Sequence, residues 1–282
     1  MSLFEEAILK WFADNKRNLP WRKTTPWGVL VSEFMLQQTP VLRVLPKWNE
    51  WMKRWPTPAD LASASTSEVI TAWGRLGYPR RALRLHECAK IISKKFNGKV
   101  PDSEEVLKSL PGIGDYTASA IASFAYKAKA LVLDVNIRRL FARAIDGVES
   151  PKASLSNFER ASRAGLIPEK DAHLWAGATM ELGALVCTSR NPKCGQCPIS
   201  PLCAWKTAGY PGSDQPRKVQ DWHGTDRQCR GIIVQALREN TALSIEEIKK
   251  LWHDGSQIEK ALITLIQDGL VSRTEGSVYA LP

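Results

Sequence analysis

Leu110-Pro111-Gly112-Ile113-Gly114 sets two glycines one residue apart between two stretches of helical pattern. Such a turn needs backbone that reaches positive φ or comes very close to a ligand, so the chain closes a tight hairpin between helices here. Beyond it, Asp115 is placed to cap a helix whose apolar residues Ala118, Ile121, Ala122 and Phe124 roughly keep helical spacing. Backbone N–H groups at that helix start lack partners within the helix, and with the helix dipole they suit a phosphate. Alone, the pattern would equally describe an ordinary helical hairpin. Two neighbouring features shift the balance. Lys108 precedes the turn and Lys127 and Lys129 follow the second helix; then 131–139 (LVLDVNIRR) brings an apolar approach to one acid, Asp134, and a basic helix.

The charge distribution agrees with a polyanionic partner. The formal net charge is +10, and because residues 204–282 hold 10 Lys+Arg and 10 Asp+Glu, the whole excess (29 against 19) lies in residues 1–203. No stretch approaches the roughly 20 apolar residues of a membrane span, and no signal-peptide pattern opens the chain. A soluble, cytoplasmic monomer without a membrane partner is the expectation.

Along the chain, helical patterns cover Leu3 to Asp14, Trp27 to Gln38 with Glu33 as the one acid among apolar residues, Arg80 to Phe96, Asn157 to Ala164 and Asp171 to Val186. Gly, Pro, Asp and Gln mark a break near 208–226. Three further helices follow, the second opened by the capping box Ser244-x-x-Glu247, and 270–273 and 277–281 flank a hairpin turn. That order resembles a winged-helix domain, and its 7 Lys+Arg against 8 Asp+Glu over 226–282 argue against strong DNA binding by this part alone. No strand is predicted before the last dozen residues.

Four cysteines, Cys187, Cys194, Cys197 and Cys203, are spaced C-x6-C-x2-C-x5-C, while Cys88 and Cys229 stand alone inside helices and read as core. In a cytosolic chain such a cluster points to metal rather than disulfides. Structural zinc sites usually present two separated pairs; here one C-x2-C pair lies within a seventeen-residue loop, with iron–sulfur as the other choice.

Taken together, the hairpin and Asp134 twenty residues beyond Gly114 resemble the helix-hairpin-helix DNA glycosylases, whose LPGxG hairpin is followed at about this distance by an essential aspartate. The cysteine spacing resembles the [4Fe–4S] loop of the endonuclease III and adenine glycosylase branch. Val31-Ser32-Glu33-Phe34-Met35-Leu36-Gln37-Gln38-Thr39 closely resembles the VSExMLQQT segment of the MutY adenine DNA glycosylases, in which this glutamate protonates adenine. Endonuclease III relatives lack that glutamate and carry a nucleophilic lysine two residues after the last hairpin glycine; Tyr116 stands here, which disfavours a lyase.

The resemblance runs from about Leu19 to Cys203 and implies a fold and a function. The fold would be all-α: a helix-hairpin-helix glycosylase with an N-terminal helix (1–24) joining the cluster domain, a six-helix barrel domain (25–135), an iron–sulfur domain (136–208) and a winged-helix-like domain (226–282). The function would be removal of adenine opposite 8-oxoguanine or guanine in double-stranded DNA. Breaking an N-glycosidic bond needs a proton for the leaving base and negative charge beside the sugar as it turns cationic. Glu33, in an apolar helix where desolvation favours the protonated form, suits the first role; Asp134, at a helix start beside Asn136, suits the second as an ionised group.

By the same resemblance Trp21 and Arg22 line the pocket for the flipped adenine, and Tyr78 in the Leu76-Gly77-Tyr78 turn wedges into the duplex. Leu36, Gln38, Thr39 and Leu76 belong to the surface towards the opposite 8-oxoguanine. Gly112 and Gly114 serve the DNA backbone, Arg190 and Lys193 the phosphates near the cluster, and the four cysteines hold a [4Fe–4S] cluster. One departure stands out: typical members end in a Nudix-like β-rich domain that helps read 8-oxoguanine, and this helical tail does not resemble it. A thymine or uracil mismatch glycosylase is the alternative enzyme, since Tyr116 also occupies this position there. A redox-responsive DNA-binding regulator is the alternative from another class.

Overall fold

The computed structural model describes residues 2–212 and 221–282, except for the side chain of Glu275; the break expected near 208–226 falls in part outside the described residues. Helices dominate, and the described chain divides into two compact units, one of residues 2–29, 101–109 and 113–212 and the other of 30–100, 110–112 and 221–282.

In the first unit Ser2 caps the helix Leu3–Asn15 by accepting from the Glu5 N–H. Its apolar stripe, Ile8 and Phe12, packs with Ile137, Leu140 and Phe141 of Val135–Ala144 and with Trp175, Ala178 and Leu182 of Ala172–Leu185. The last two helices approach so closely that a Cβ on Gly183 would lie 2.6 Å from the Asn136 carbonyl oxygen. Glycine at 183 therefore sets where the Asp134 end of its helix rests.

The hairpin helices Glu104–Lys108 and Asp115–Tyr126 also belong to this unit, tied by the Ser119 hydroxyl donating to Glu104 at 2.5 Å. Asp115 does not cap: Gly114 is the N-cap, in extended backbone, and no side chain accepts from the first turn. Asp115 is instead the first helical residue, paired with Lys108 at 3.7 Å and Arg160 at 3.4 Å. The two hairpin glycines also differ. Gly112 takes φ +82, while Gly114 sits at φ −97, and a Cβ there would meet nothing.

The second unit contains Val41–Arg54, Pro58–Ser63, Thr66–Trp73 and Arg80–Lys95, with capping boxes at Thr57/Asp60 and Ser65/Glu68 opening the two short helices. Trp51 anchors its core, edge-on to Trp55 at 4.8 Å and to Trp73 at 5.5 Å. The C-terminal part adds Asp226–Glu239, Ile245–Lys249 and Gly255–Gln267, and the predicted box at Ser244 forms. Its sheet has three strands, not two: Leu243–Ser244 pairs antiparallel with Val278–Ala280, which also pairs with Ser272–Thr274. A two-residue strand leaves no alternation to read, which is why the sequence pattern passes over it. Ile70 is buried in one cluster with Ile233, Leu237 and Leu262, and Arg238 donates to the Ile70 carbonyl at 3.0 Å, so this part is seated on the helix Thr66–Trp73.

Candidate functional site

Each unit carries one of the two expected carboxylates, and each carboxylate lies beside a buried polar hub. In the second unit Glu33 is only 5% exposed, flanked by Leu30, Val31, Phe34 and Met35, which are all essentially buried. Its helix stops at Leu36 because Gln38 turns to φ +54. The next turn of interest, Gly77-Tyr78, has φ +83 and +47. A side-chain-bearing residue with positive φ is strained and persists only where its surroundings hold it.

Arg81 supplies that hold. One guanidinium nitrogen donates to the carbonyls of Phe34 (2.9 Å), Met35 (3.0 Å) and Gln37; the other donates to Thr39 Oγ1 (2.9 Å), Leu76 O (3.3 Å) and Gly77 O (3.0 Å). Burial lowers its pKa to about 10, which still leaves it charged at neutral pH. Thr39 in turn donates to Leu76 O at 3.1 Å, and the Trp73 indole to Gly77 O at 2.9 Å. Both Thr39 and Leu76 are enclosed, Leu36 is half-buried, and Gln38 and the half-open Tyr78 are what this surface presents. Gly112 belongs here as well: a Cβ would strike Phe34 at 2.7 Å and Arg84 at 3.0 Å, so the hairpin turn presses directly on the helix of Glu33.

In the first unit Asp134 caps Val135–Ala144, accepting from the Ile137 N–H at 2.7 Å and from the Asn136 side chain at 2.7 Å. Burial pushes its carboxyl above the usual Asp value; the Ile137 and Asn136 donors and the charge of Arg139 oppose this without reversing it. Arg139 donates to Asn136 Oδ1 (2.8 Å), to Gly183 O (2.6 Å) and to Cys187 O (2.7 Å). A chain of side chains thus joins Asp134 to the first cysteine of the loop. Tyr116 is half-buried against the same core. Trp21 and Arg22 sit in a short 3-10 turn, and Arg22 lies over Phe12 and pairs at 3.1 Å with the buried Glu181, which Arg17 also grips twice at 2.8 Å.

Cys187, Cys194, Cys197 and Cys203 line one cavity together with Leu140, Val186 and Ile199. Among the described residues no three ligand-type side chains converge tightly enough for a single ion. Four cysteines lining one cavity supply the thiolate donor set that an iron–sulfur cluster takes. Burial raises the Cys187 thiol and brings Cys197 to about 11, so a set of thiolates here requires positive charge among them. Arg143, itself 1% exposed, donates to Cys187 Sγ at 3.5 Å and to Thr188 O at 2.7 Å, and lies over Trp205. Arg190 and Lys193 are exposed on this loop, whereas Cys88 and Cys229 are fully buried in the second unit.

Arg81, Arg143 and Glu181 escaped the sequence reading. For two of them a signal existed: Arg81 shares the apolar stripe of Leu85, Cys88 and Ile92, and Glu181 that of Ala178 and Leu182, positions where a charge must be paired.

Residues 31–162 match the model of the HhH-GPD superfamily of base excision DNA repair proteins, and residues 187–203 match the iron-sulfur binding domain of endonuclease III. Adenine DNA glycosylase of Mycobacterium tuberculosis is 48% identical over 281 residues, covering 98% of this chain and 92% of that protein. Adenine DNA glycosylase of Mycolicibacterium smegmatis is 46% identical, covering 100% and 97%. A thermostable thymine-DNA glycosylase structure superposes with a TM-score of 0.66 at 26% identity, covering 73% of this chain and 96% of that one. With the cysteine loop matching an iron–sulfur domain and relatives this similar along nearly its whole length, the chain belongs to the adenine DNA glycosylase family of the helix-hairpin-helix superfamily and carries a [4Fe–4S] cluster.

Proposed function

We propose that this protein is a monofunctional, base-flipping glycosylase that hydrolytically removes adenine paired with 8-oxoguanine, and less readily with guanine, from duplex DNA, acting as a cytoplasmic monomer. The observation that carries the reading is Glu33, a nearly inaccessible carboxyl on an apolar helix at the glutamate position of the VSExMLQQT segment. Glu33 delivers the proton that makes adenine a leaving group. Asp134 places negative charge by the sugar as its cation develops, and Asn136 fixes the carboxylate in that orientation.

Trp21 and Arg22 line the pocket that receives the base, with Arg22 held by Glu181. Gln38 and Tyr78 face the duplex from two turns locked by Arg81, Leu36, Thr39 and Leu76 shaping the surface behind them. Gly112 and Gly114 and the uncapped start of Asp115–Tyr126 approach one phosphate, and Arg190 and Lys193 others. Cys187, Cys194, Cys197 and Cys203 ligate the cluster. When bound it supplies a rigid cross-link for a loop that contains only two short 3-10 turns.

Single-turnover base release from duplexes containing A:8-oxoguanine, A:G, T:G and U:G tests the proposal. Fast release from A:8-oxoguanine is expected, slower release from A:G, and none from the last two; release confined to T:G or U:G would assign the chain to mismatch thymine or uracil removal instead.

Two further results are expected. Tyr116→Lys puts an amine where the lyases carry theirs, so borohydride should trap a covalent DNA adduct that the parent protein does not form; no adduct would misplace residue 116. The pH dependence of release should show an acid limb above the usual Asp range, because Asp134 must be ionised and its pKa is raised. Asn136→Ala removes a donor to the ionised form and should move the limb to still higher pH. The linked stability has the opposite sense: a raised carboxyl favours the folded state below the unfolded pKa, and that advantage fades as pH rises through the folded one. An unmoved limb in Asn136→Ala would take Asp134 out of the titration.

A further inference from the structure

Tyr78 has two guanidiniums against its ring, Arg81 at 5.7 Å and Arg227 at 4.5 Å from the centroid. Arg81 is already committed to carbonyl groups on two turns. Arg227 is not: it is exposed, and among the described residues no carboxylate pairs with it. It is the second residue of the helix Asp226–Glu239, at the end where the helix dipole disfavours a cation. Its other neighbour is Trp222, 5.3 Å away and 46% exposed. Two open aromatic rings bridged by one exposed guanidinium add little to folding, and exposed apolar surface of this kind calls for another use.

The helix that carries Arg227 is firmly placed. Ile233 and Leu237 are buried with Ile70, Arg238 holds the Ile70 carbonyl, and Asp268 is shared between Arg230 at 2.5 Å and Arg80 at 3.4 Å. Arg80 is only two residues from Tyr78. The C-terminal domain thus delivers one cation to a fixed spot on the tyrosine while its balance of 7 basic and 8 acidic residues gives it no general attraction for DNA.

We propose that Arg227 is a positioning residue for duplex opening: seated on Trp222, its guanidinium holds the Tyr78 ring in the orientation from which the ring enters the base stack, so the C-terminal domain takes part in extruding the base. The proposal rests on the reading of Tyr78 as the wedge.

The test uses the full-length, cluster-loaded protein and a duplex with 2-aminopurine in place of the target adenine opposite 8-oxoguanine, whose fluorescence rises on extrusion. Tyr78→Ala is expected to lose most of the rise. Arg227→Ala should lower the extrusion equilibrium about fivefold, as befits one cation–aromatic contact. Tyr78→Ala/Arg227→Ala should be no worse than Tyr78→Ala, because the arginine acts only through the ring. The salt dependence of DNA binding should be the same in Arg227→Ala as in the parent. Losses that multiply in the double variant, or a salt slope shallower by about one, make Arg227 a direct phosphate contact and overturn the proposal. A normal Arg227→Ala beside a defective Tyr78→Ala overturns it too, with the wedge reading intact; a normal Tyr78→Ala removes both. Because Arg227 is exposed, an unchanged thermal melt is expected for its variant and excludes misfolding as the cause.

Discussion

Glu33→Gln is expected to slow adenine release by on the order of a thousandfold or more, the range in which a positioned acid acts, while leaving affinity for the A:8-oxoguanine duplex nearly unchanged. Glu33 is only 5% exposed and the amide fills the same space, so the helix need not move. What it cannot do is give a proton to the departing base. Single-turnover release and a binding isotherm on the same preparation separate the two effects. Turnover at the parental rate would remove Glu33 from the chemistry, and a loss confined to binding would reassign it to the walls of the pocket.

Arg81→Ala is the substitution expected to cost most in stability, about 4 kcal/mol, since several enclosed carbonyls lose their donor at once and each such group is worth roughly 1–3 kcal/mol before relaxation and sharing are allowed for. Thr39 and the strained pair Gln38 and Tyr78 lose their common support with it. Arg81→Lys should recover only part, because an ammonium cannot span two turns as the planar fork does. Denaturant unfolding reads the first effect. Full recovery by lysine would show that charge, not the fork, organises these turns.

The legibility of this chain depended on whether a feature is local. Helix spans such as Asn157–Ala164, the box at Ser244, and the hairpin glycines are written in a few adjacent residues, and the sequence shows them. Asp115 reads as a cap in the sequence because Gly114, without a side chain, leaves no mark of its own at the position it takes. The candidate carboxylates and cysteines are read from motifs written as short stretches of sequence. Their supports are not. Arg81 bonds to residues 42 to 47 positions away, apart from two near carbonyls, and Glu181 to Arg17 across 164, separations over which no periodicity is visible. Arg227 meeting Tyr78 is of the same kind, a juxtaposition made by folding alone.

The thread from Asp134 through Asn136 and Arg139 to Cys187 has a consequence. Only two side chains separate the proposed site of chemistry from the carbonyl of the first cysteine, so any shift of the loop that moves this carbonyl takes from Arg139 one of its anchors and reaches the aspartate through Asn136.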